Sequence, residues 1–600
     1  MNFVTPITLA RVDIAFANML QTHQASHPDA WLLAALTSYA YRAGHACLVT
    51  HDSLTEIDIV NYDGLWIGRL SRDWQQQEYQ CPWWQIDSQE NPMVWQANRL
   101  YLRRAWQDEQ WIQAAIQQRL SMIDHHPTPL TPWLECLFGS IPANSTEVDW
   151  QRVACALASR TQFSIITGGP GTGKTTTVVR LLALLQRLAQ QKDNKSTSLK
   201  IGLSAPTGKA AARLASSIQQ AMMHLPTDFQ LGLPTQAQTL HKWLASDALV
   251  QCECFIVDEA SMIDLHLMAQ LLRKLPLSCR LILLGDKDQL ASVDAGAVLG
   301  QLCDGAEEGN YSLETHRWLA DFAGQYLPSQ LNYANHVLSQ QIVMLRYSHR
   351  FDAQSAIGQW ARWVNSQDTS SIKHEFKHLP NWTVECAESV ARLSLNNEED
   401  HTLKHLILDQ WKSLVTLVNQ SVEVSDPDDW AKKILIQLNE FQVLCAVREG
   451  HWGLVAMNQL MAQWLGIAAH QWQVGRVVMM TRNDYTLNLM NGELGICLQH
   501  PQKGLRVAFA GETSIRWILP LRLSHFEDAY AMSVHKSQGS EFNRVVLLLP
   551  ERESPIVTKE LIYTAVTRAK KQFILGCANP QQLFNAVARS IQRAGGLTFE

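Results

Sequence analysis

The segment Gly168-Gly169-Pro170-Gly171-Thr172-Gly173-Lys174-Thr175 constrains this 600-residue chain more than any other part of it. It matches GxxxxGK[ST] and lies between a short apolar run, Phe163 to Thr167, and TTVVRLLALLQRLAQ, whose apolar residues recur at helical spacing. Glycines here let backbone N–H groups wrap phosphates, and the helix that follows adds the positive end of its dipole. That cradle needs strand, loop and helix together, which predicts an α/β fold built on a parallel sheet. Lys174 is placed to reach the β and γ phosphates of ATP, and Thr175 to hold Mg²⁺, with Thr176 beside it among the binding residues. A chance glycine-rich turn would not bring strand, helix and all eight positions together.

The alternation continues along the chain. Lys200 to Ser204, CFIVD ending at Asp258 and RLILLGD ending at Asp286 are strand-like, with a helical pattern over Ala210 to Met223. A stretch without clear pattern, Cys303 to Gln341, leads to IVMLRYSHR; FQVLCAVR (441–448), GRVVMMTRN (475–483), NRVVLLLP (543–550) and KQFILGC (571–577) then resume the alternation. Two α/β lobes are expected, at 146–340 and 341–600. Asn491-Gly492 and the short alternating runs between Asp484 and Leu523 predict a small β-hairpin or SH3-like barrel inserted in the second lobe at about 484–523.

The length suggests roughly four domains, and 46% hydrophobic with 18% charged residues is the composition of a folded chain. No apolar stretch approaches the roughly 18 residues that cross a bilayer, and the first 24 residues lack the basic start and apolar run of a secretion signal. A cytoplasmic protein without membrane contact is expected, and the twelve scattered cysteines, with no CxxC pair, read as reduced structural thiols rather than metal ligands. The net charge of -6 is unevenly placed: residues 1–150 hold 8 Arg, no Lys and 16 acidic residues, a net of -8, while the rest of the chain is at +2. The same 150 residues carry ten of the 21 Trp residues. Such a unit repels phosphates and is rich in the residue most common at binding hot spots, so 1–110 is expected to be a mainly helical docking domain, followed by a linker at 111–145. Most of its Trp side chains are nevertheless expected in its own core.

Asp258 and Glu259 end an apolar strand at the edge where parallel sheets bind ligands. Asp258 suits a metal ion and Glu259 an attacking water, a pairing that favours hydrolysis over transfer to another acceptor. Gln289, four residues past the end of the RLILLG run, can bond both a γ-phosphate and an adjoining loop, and is the expected sensor.

In order, GGPGTGKT, APTGKAAARL (205–214), TLH (239–241), VDEASM (257–262), GDKDQLASV (285–293), YSHRF (347–351), SVHKSQGSEF (533–542) and YTAVTRA (563–569) resemble the motifs of superfamily 1 helicases. With FQVLCAVREGHWGLVAMN (441–458), GRVVMMTRNDYTLNLMNGELGI (475–496) and RLYLRRAW (99–106), the chain resembles more closely the RecD family, the alpha subunits of RecBCD (exonuclease V) complexes. The resemblance runs from Gln151 nearly to the C-terminus and implies two RecA-like lobes. It implies that Gln151 reads adenine, that Arg350 and Arg568 point from the second lobe at the γ-phosphate, and that Gly539 and Glu541 meet the nucleotide, Glu541 at the ribose. It also implies that Thr207, Lys209, Thr239, His241, His535 and Lys536 lie along single-stranded DNA. A guanidinium at the γ-phosphate makes chemical sense in any family, because charge develops there on oxygens.

The expected activity is ATP-driven, 5′ to 3′ translocation on DNA, the polarity following from the resemblance alone. The chain is expected to be a motor subunit acting on single strands and duplex ends, in a heterotrimer with RecB-like and RecC-like subunits. No convincing clustered acidic nuclease motif is expected outside the ATPase carboxylates, and the resemblance implies that the nuclease belongs to the beta subunit. A free-standing RecD-like helicase, and an assembly subunit whose ATP site only gates complex formation, are the alternatives. One departure from the family pattern is visible: 16 residues separate His241 from Asp258, too few for the strand they contain and the long β-hairpin that RecD-like helicases insert there.

Overall fold

The computed structural model describes residues 6–599 apart from 77–80, 85–90, 125–128, 141–146, 194–197, 329–335, 351–354, 396–399, 421–425, 469–470 and 512–513. The N-terminal region combines the helices Arg11–His23 and Pro28–Arg42 with six short strands: β1 (Ile7–Thr8), β2 (Leu48–Val49), β3 (Ile59–Val60), β4 (Trp66–Gly68), β5 (Met93–Gln96) and β6 (Arg99–Leu102). They form two small sheets, ordered β1-β3-β4 and β2-β6-β5. The two helices hold more of the region than the short strands do, as expected of a mainly helical domain. Trp74, Trp83, Trp84 and Trp95 are buried and packed ring on ring, with the Trp84 and Trp95 centroids 5.5 Å apart, while Trp66 is 67% exposed.

The expected boundary at residue 110 falls inside the helix Arg103–Ser121, which begins directly after β6. One face of that helix packs on the first-lobe helix Leu265–Lys274. Buried Asp108 accepts hydrogen bonds from Arg273 Nη2 (2.7 Å) and bonds His266 Nδ1 (2.9 Å), and Arg119 Nη2 donates to the carbonyls of Leu275 and Pro276 at 2.9 Å. The expected linker is thus partly helix, here and at Thr131–Phe138, and its stretches 125–128 and 141–145 lie outside the described residues.

Around the glycine-rich loop, β7 (Phe163–Gly168), β8 (Ile201–Ala205), β9 (Gln238–Thr239), β10 (Cys254–Val257), β11 (Arg280–Gly285) and β12 (Ile342–Leu345) form one parallel sheet, ordered β12-β7-β11-β10-β8-β9. Apolar side chains on both faces of the central strands are buried under helices, as the continuous apolar runs require. The lobe boundary expected at 340 falls five residues or more too early: Ile342 pairs with Ile165 and Leu345 with Gly168, so IVML completes the first sheet.

The second lobe starts with the helices Ala356–Asn365 and Thr369–His378, which pack into its core; its strands are β13 (Val390–Ser394) and β14 (Phe441–Cys445), interrupted by β15 (Val477–Met480), β16 (Leu494–His500), β17 (Gly504–Phe509), β18 (Arg516–Ile518) and β19 (Phe526–Asp528), then β20 (Ala531–Ser533), β21 (Phe542–Leu548) and β22 (Ala569–Cys577). Its parallel sheet is ordered β13-β22-β21-β14-β20. The interruption is an antiparallel sheet ordered β18-β17-β16-β15-β19, wider than the 484–523 expected. VVMM, read from sequence as a strand of the parallel alternation, pairs antiparallel with both β16 and β19 and belongs to the insertion.

After the helix Pro580–Ala588 the chain runs back without regular structure over the other two regions. Arg593 Nη1 donates to the Asp294 carbonyl (2.8 Å), Ala594 N–H to His45 Nδ1 (3.0 Å), Ala46 N–H to the Ala594 carbonyl (2.8 Å) and Gly596 N–H to Glu109 Oε1 (2.9 Å). Leu597 and Phe599 pack against the core shared by the first lobe and the helix Arg103–Ser121. No described helix is long and apolar enough to cross a membrane.

Candidate nucleotide site and DNA track

The loop between β7 and the helix Lys174–Asp193 turns through left-handed backbone at Gly171 (φ +77°) and Gly173 (φ +83°). A side chain is excluded on both counts, since a Cβ at Gly171 would collide with Arg350 and one at Gly173 with the Gln151 amide. Lys174 Nζ donates to the carbonyls of Gly168 (2.6 Å) and Gly169 (3.1 Å), and Thr172 Oγ1 donates to the Gly169 carbonyl at 2.8 Å. A cleft of about 600 Å³ opens over the loop, with Pro170, Lys174, Thr175 and Thr176 on one side and Arg350, Glu541 and Arg568 on the other.

Asp258 follows the C-terminal end of β10, and Glu259 projects from a left-handed backbone (φ +52°), a conformation costly for a residue with a side chain. Glu259 N–H donates to Asp258 Oδ1 at 2.9 Å. Burial, reinforced by the neighbouring Glu259 carboxylate, pushes the Asp258 carboxyl up to about 6. Asp286, at the end of β11, is likewise pushed up to about 6, by burial foremost, against the pull of Lys174.

From the second lobe, Arg568 reaches into the first at only 2% exposure: its Nη2 donates to Gln289 Oε1 at 2.9 Å and its Nη1 to the Ser540 carbonyl at 3.0 Å. Gln289 Nε2 in turn donates to Asp286 Oδ2 at 2.9 Å. Arg350 does not come from the second lobe as expected, but from the segment that leaves β12, where His349 N–H donates to the Gly171 carbonyl at 2.8 Å. Arg350 Nη2 donates to Glu541 Oε1 at 2.6 Å, Arg213 pairs with the same carboxylate, and Lys570 Nζ lies 3.3 Å from its other oxygen. Burial alone would raise the Glu541 carboxyl, but Arg213 and Arg350 outweigh it and hold it down at about 2. The ribose contact implied for Glu541 therefore competes with these ion pairs. Gly539 adopts φ +70° and stands against Ala210 of the first lobe.

Beside the cleft a second pocket of about 420 Å³ is lined by Phe138, Trp150, Gln151, Arg346, Tyr347 and His349. Gln151 Nε2 donates to the Thr172 carbonyl (3.2 Å) and Arg180 Nη1 donates to Gln151 Oε1 (3.2 Å), so its amide is held at the rim of the glycine-rich loop. An amide so fixed, next to aromatic walls, suits a purine base.

The residues expected along DNA cluster at strand ends. Thr207 follows β8 and Thr239 ends the adjacent strand β9, and each hydroxyl caps a helix by accepting a backbone N–H, from Ala210 (3.2 Å) and Lys242 (3.3 Å). His241 is exposed. Lys536 Nζ bonds Glu527 Oε1 of the insertion at 2.7 Å, and burial, then Arg593, lowers the pKa of His535. Lys209 departs from the group: half-buried, it lies over the Phe542 ring at 5.8 Å, and burial followed by Arg213 lowers it to about 8.

Three family models match: AAA domain over residues 151–295, UvrD-like helicase C-terminal domain over 528–575, and RecBCD enzyme subunit RecD, N-terminal domain, over 7–101. The RecBCD enzyme subunit RecD of Haemophilus influenzae is 33% identical, covering 98% of this chain and 97% of its own. The chain belongs to the RecD family. RecD of Mycobacterium tuberculosis is also 33% identical, over 83% of this chain and 79% of its own. A Bacteroides Pif1 helicase bound to single-stranded DNA aligns at 16% identity and a TM-score of 0.39, over 74% of this chain and 94% of its own. The two-lobed fold and the helicase ATPase activity follow from this membership.

The RecD-like motifs imply no role for Arg213, Asp286, Tyr347 or Tyr563, which lie in or beside the cleft. Arg213 stands one helical turn beyond Lys209 in APTGKAAARL, an i,i+4 spacing that puts both on one face. Asp286 ends an apolar strand just as Asp258 does, and the same rule could have found it. Tyr563 opens the YTAVTRA motif, but its place in a helix of apolar periodicity reads as core and gives no hint of a polar partner. The structure agrees with the departure noted in the RecD pattern: between His241 and Asp258 the chain forms the helix Leu240–Leu244, a 3₁₀ turn at Asp247–Gln251 and β10, with no hairpin.

Proposed function

We propose that this RecD-family chain is a 5′ to 3′ single-stranded DNA translocase, the motor subunit of a cytoplasmic heterotrimer with RecB-like and RecC-like subunits. It acts from duplex ends in break repair, recombination and DNA degradation, and leaves cutting to a partner. The observation that carries this reading is the bond from Arg568 to Gln289, which joins the second lobe to the expected γ-phosphate sensor of the first.

Lys174 binds the β and γ phosphates, and the Gly168 to Thr176 backbone holds their oxygens. Gln151 fixes the base in the neighbouring pocket. Glu259, turned into the cleft by its left-handed backbone, orients the attacking water and takes its proton. Arg350 and Arg568 stabilise charge on the transferred group. Among the described residues no three His, Cys, Asp or Glu side chains cluster as a self-sufficient metal site. The Asp258 carboxylate and the Thr175 hydroxyl, both lining the cleft, are oxygen donors that would suit a hard divalent cation. Mg²⁺ held there supplies neutralisation of phosphate charge. Removal of the γ-phosphate releases both arginines, the lobes part, and Thr207, Thr239, His241, His535 and Lys536 exchange their hold on the strand.

Streptavidin placed on either end of a single strand tests this. ATP-dependent displacement from the 3′ end, with little from the 5′ end, is expected, along with ATP hydrolysis stimulated by single-stranded DNA. ATP hydrolysis indifferent to DNA would favour a site that only gates assembly.

A further inference from the structure

Tyr563 lies on the second-lobe helix Lys559–Arg568, little more than one turn before Arg568. Its ring is buried, and its hydroxyl donates to Asp286 Oδ2 at 3.2 Å. The same hydroxyl lies against the phosphate loop, so close that a Cβ on Gly169 would stand 3.0 Å from it. That carboxylate oxygen also accepts Gln289 Nε2 at 2.9 Å, and Gln289 Oε1 accepts Arg568 Nη2 at 2.9 Å. The other Asp286 oxygen is held by the Asp288 N–H at 3.1 Å. A closed circuit results: it leaves the helix at Tyr563, crosses into the first lobe at Asp286, passes through Gln289 and returns to the same helix at Arg568. Packing alone would be met by phenylalanine, which would spare the cost of burying a hydroxyl.

We infer that Tyr563 and Asp286 are positioning residues, a latch that fixes Gln289 and Arg568 for the γ-phosphate only when the second lobe is seated against the phosphate loop. The inference rests on reading Gln289 and Arg568 as the γ-phosphate pair. Neither Tyr563 nor Asp286 needs to touch ATP. A free Gln289 amide can rotate, and a free guanidinium can stay with the Ser540 carbonyl. With the carboxylate held by Tyr563, the amide is oriented with its oxygen toward Arg568, and both donors are set before the charge develops.

The test is steady-state ATP hydrolysis by the full chain on single-stranded DNA. Tyr563→Phe is expected to lower kcat about tenfold, the scale of one lost hydrogen bond to a charged group, with the ATP KM and the DNA affinity within about twofold of the parent. Asp286→Asn should behave alike, and the double variant should be no worse than either single one, because both break one circuit. Arg568→Ala is the control. If it loses activity while Tyr563→Phe keeps its kcat, or if the two latch effects multiply, the latch is wrong and the site stands. If Arg568→Ala is fully active, the γ-phosphate pair itself is wrong and the latch falls with it. Thermal melting checks folding; should Asp286→Asn not fold, the cycle is run with Gln289→Ala, for which the same non-additivity is expected.

Discussion

Lys174 and Arg568 carry the clearest expectations for single residues. Lys174→Gln removes a phosphate cation and no DNA contact, so ATP hydrolysis should vanish while single-strand binding, measured by anisotropy, stays within about twofold. Arg568→Ala should lower kcat much more than it raises the ATP KM, because its contact is complete only in the closed transition state. Asp258 links function to stability in the opposite sense. Its folded value of about 6 lies above the ordinary carboxylate value, so ionising it in the fold is a penalty. That penalty is fully present above about pH 6 and fades as pH falls toward about 4. Asp258→Asn should therefore abolish hydrolysis yet raise Tm at pH 7.5, with a gain that shrinks as the melts are repeated toward pH 4. Glu541 runs the other way: held at about 2, its pairing with Arg213 and Arg350 stabilises the fold fully above the ordinary glutamate range, and that stabilisation is lost progressively as pH falls from there through about 2.

Among the elements, the short connection between His241 and Asp258 bears on duplex separation. It contains helix and 3₁₀ turn before β10 and offers no long hairpin to serve as a wedge. The isolated chain should displace streptavidin from single strands but unwind a 5′-tailed duplex weakly, with a strong rise when partner subunits are added; efficient unwinding by the chain alone would contradict this. The helix Arg103–Ser121 bears on where the docking region ends. Truncation after residue 110 would split it and remove Asp108 and Glu109, leaving Arg273 and His266 without the carboxylate they share. Removal of residues 1–102 should leave a motor with a higher Tm than removal of 1–110, while neither co-purifies with partner subunits. Sequence could not place that boundary. The helix is continuous with the N-terminal strands in the chain but with the first lobe in its contacts, and periodicity reports only that a helix has a buried face, not whose core buries it.

At the scale of the whole molecule, the C-terminal segment ties the three regions together. Arg593 reaches the loop after Gln289, Ala594 pairs with Ala46, and Gly596 bonds buried Glu109. A Cβ on Gly596 would collide with the Tyr101 hydroxyl, so the close approach requires glycine there. Deletion of residues 590–600 should lower Tm and raise amide exchange selectively around 44–49 and 101–109, as read by hydrogen exchange. The phosphate loop, the acidic strand end, the alternation of both lobes and the order of the motifs are legible in the residues alone, because each is a local pattern whose chemistry requires fixed spacing. That Ile342–Leu345 closes the first sheet, that Val477–Met480 belongs to the insertion, and that Tyr563, Asp286, Gln289 and Arg568 form one circuit emerges from the packed fold. An apolar strand reads the same in whichever sheet it joins, and residues 277 positions apart meet only through the packing of two lobes.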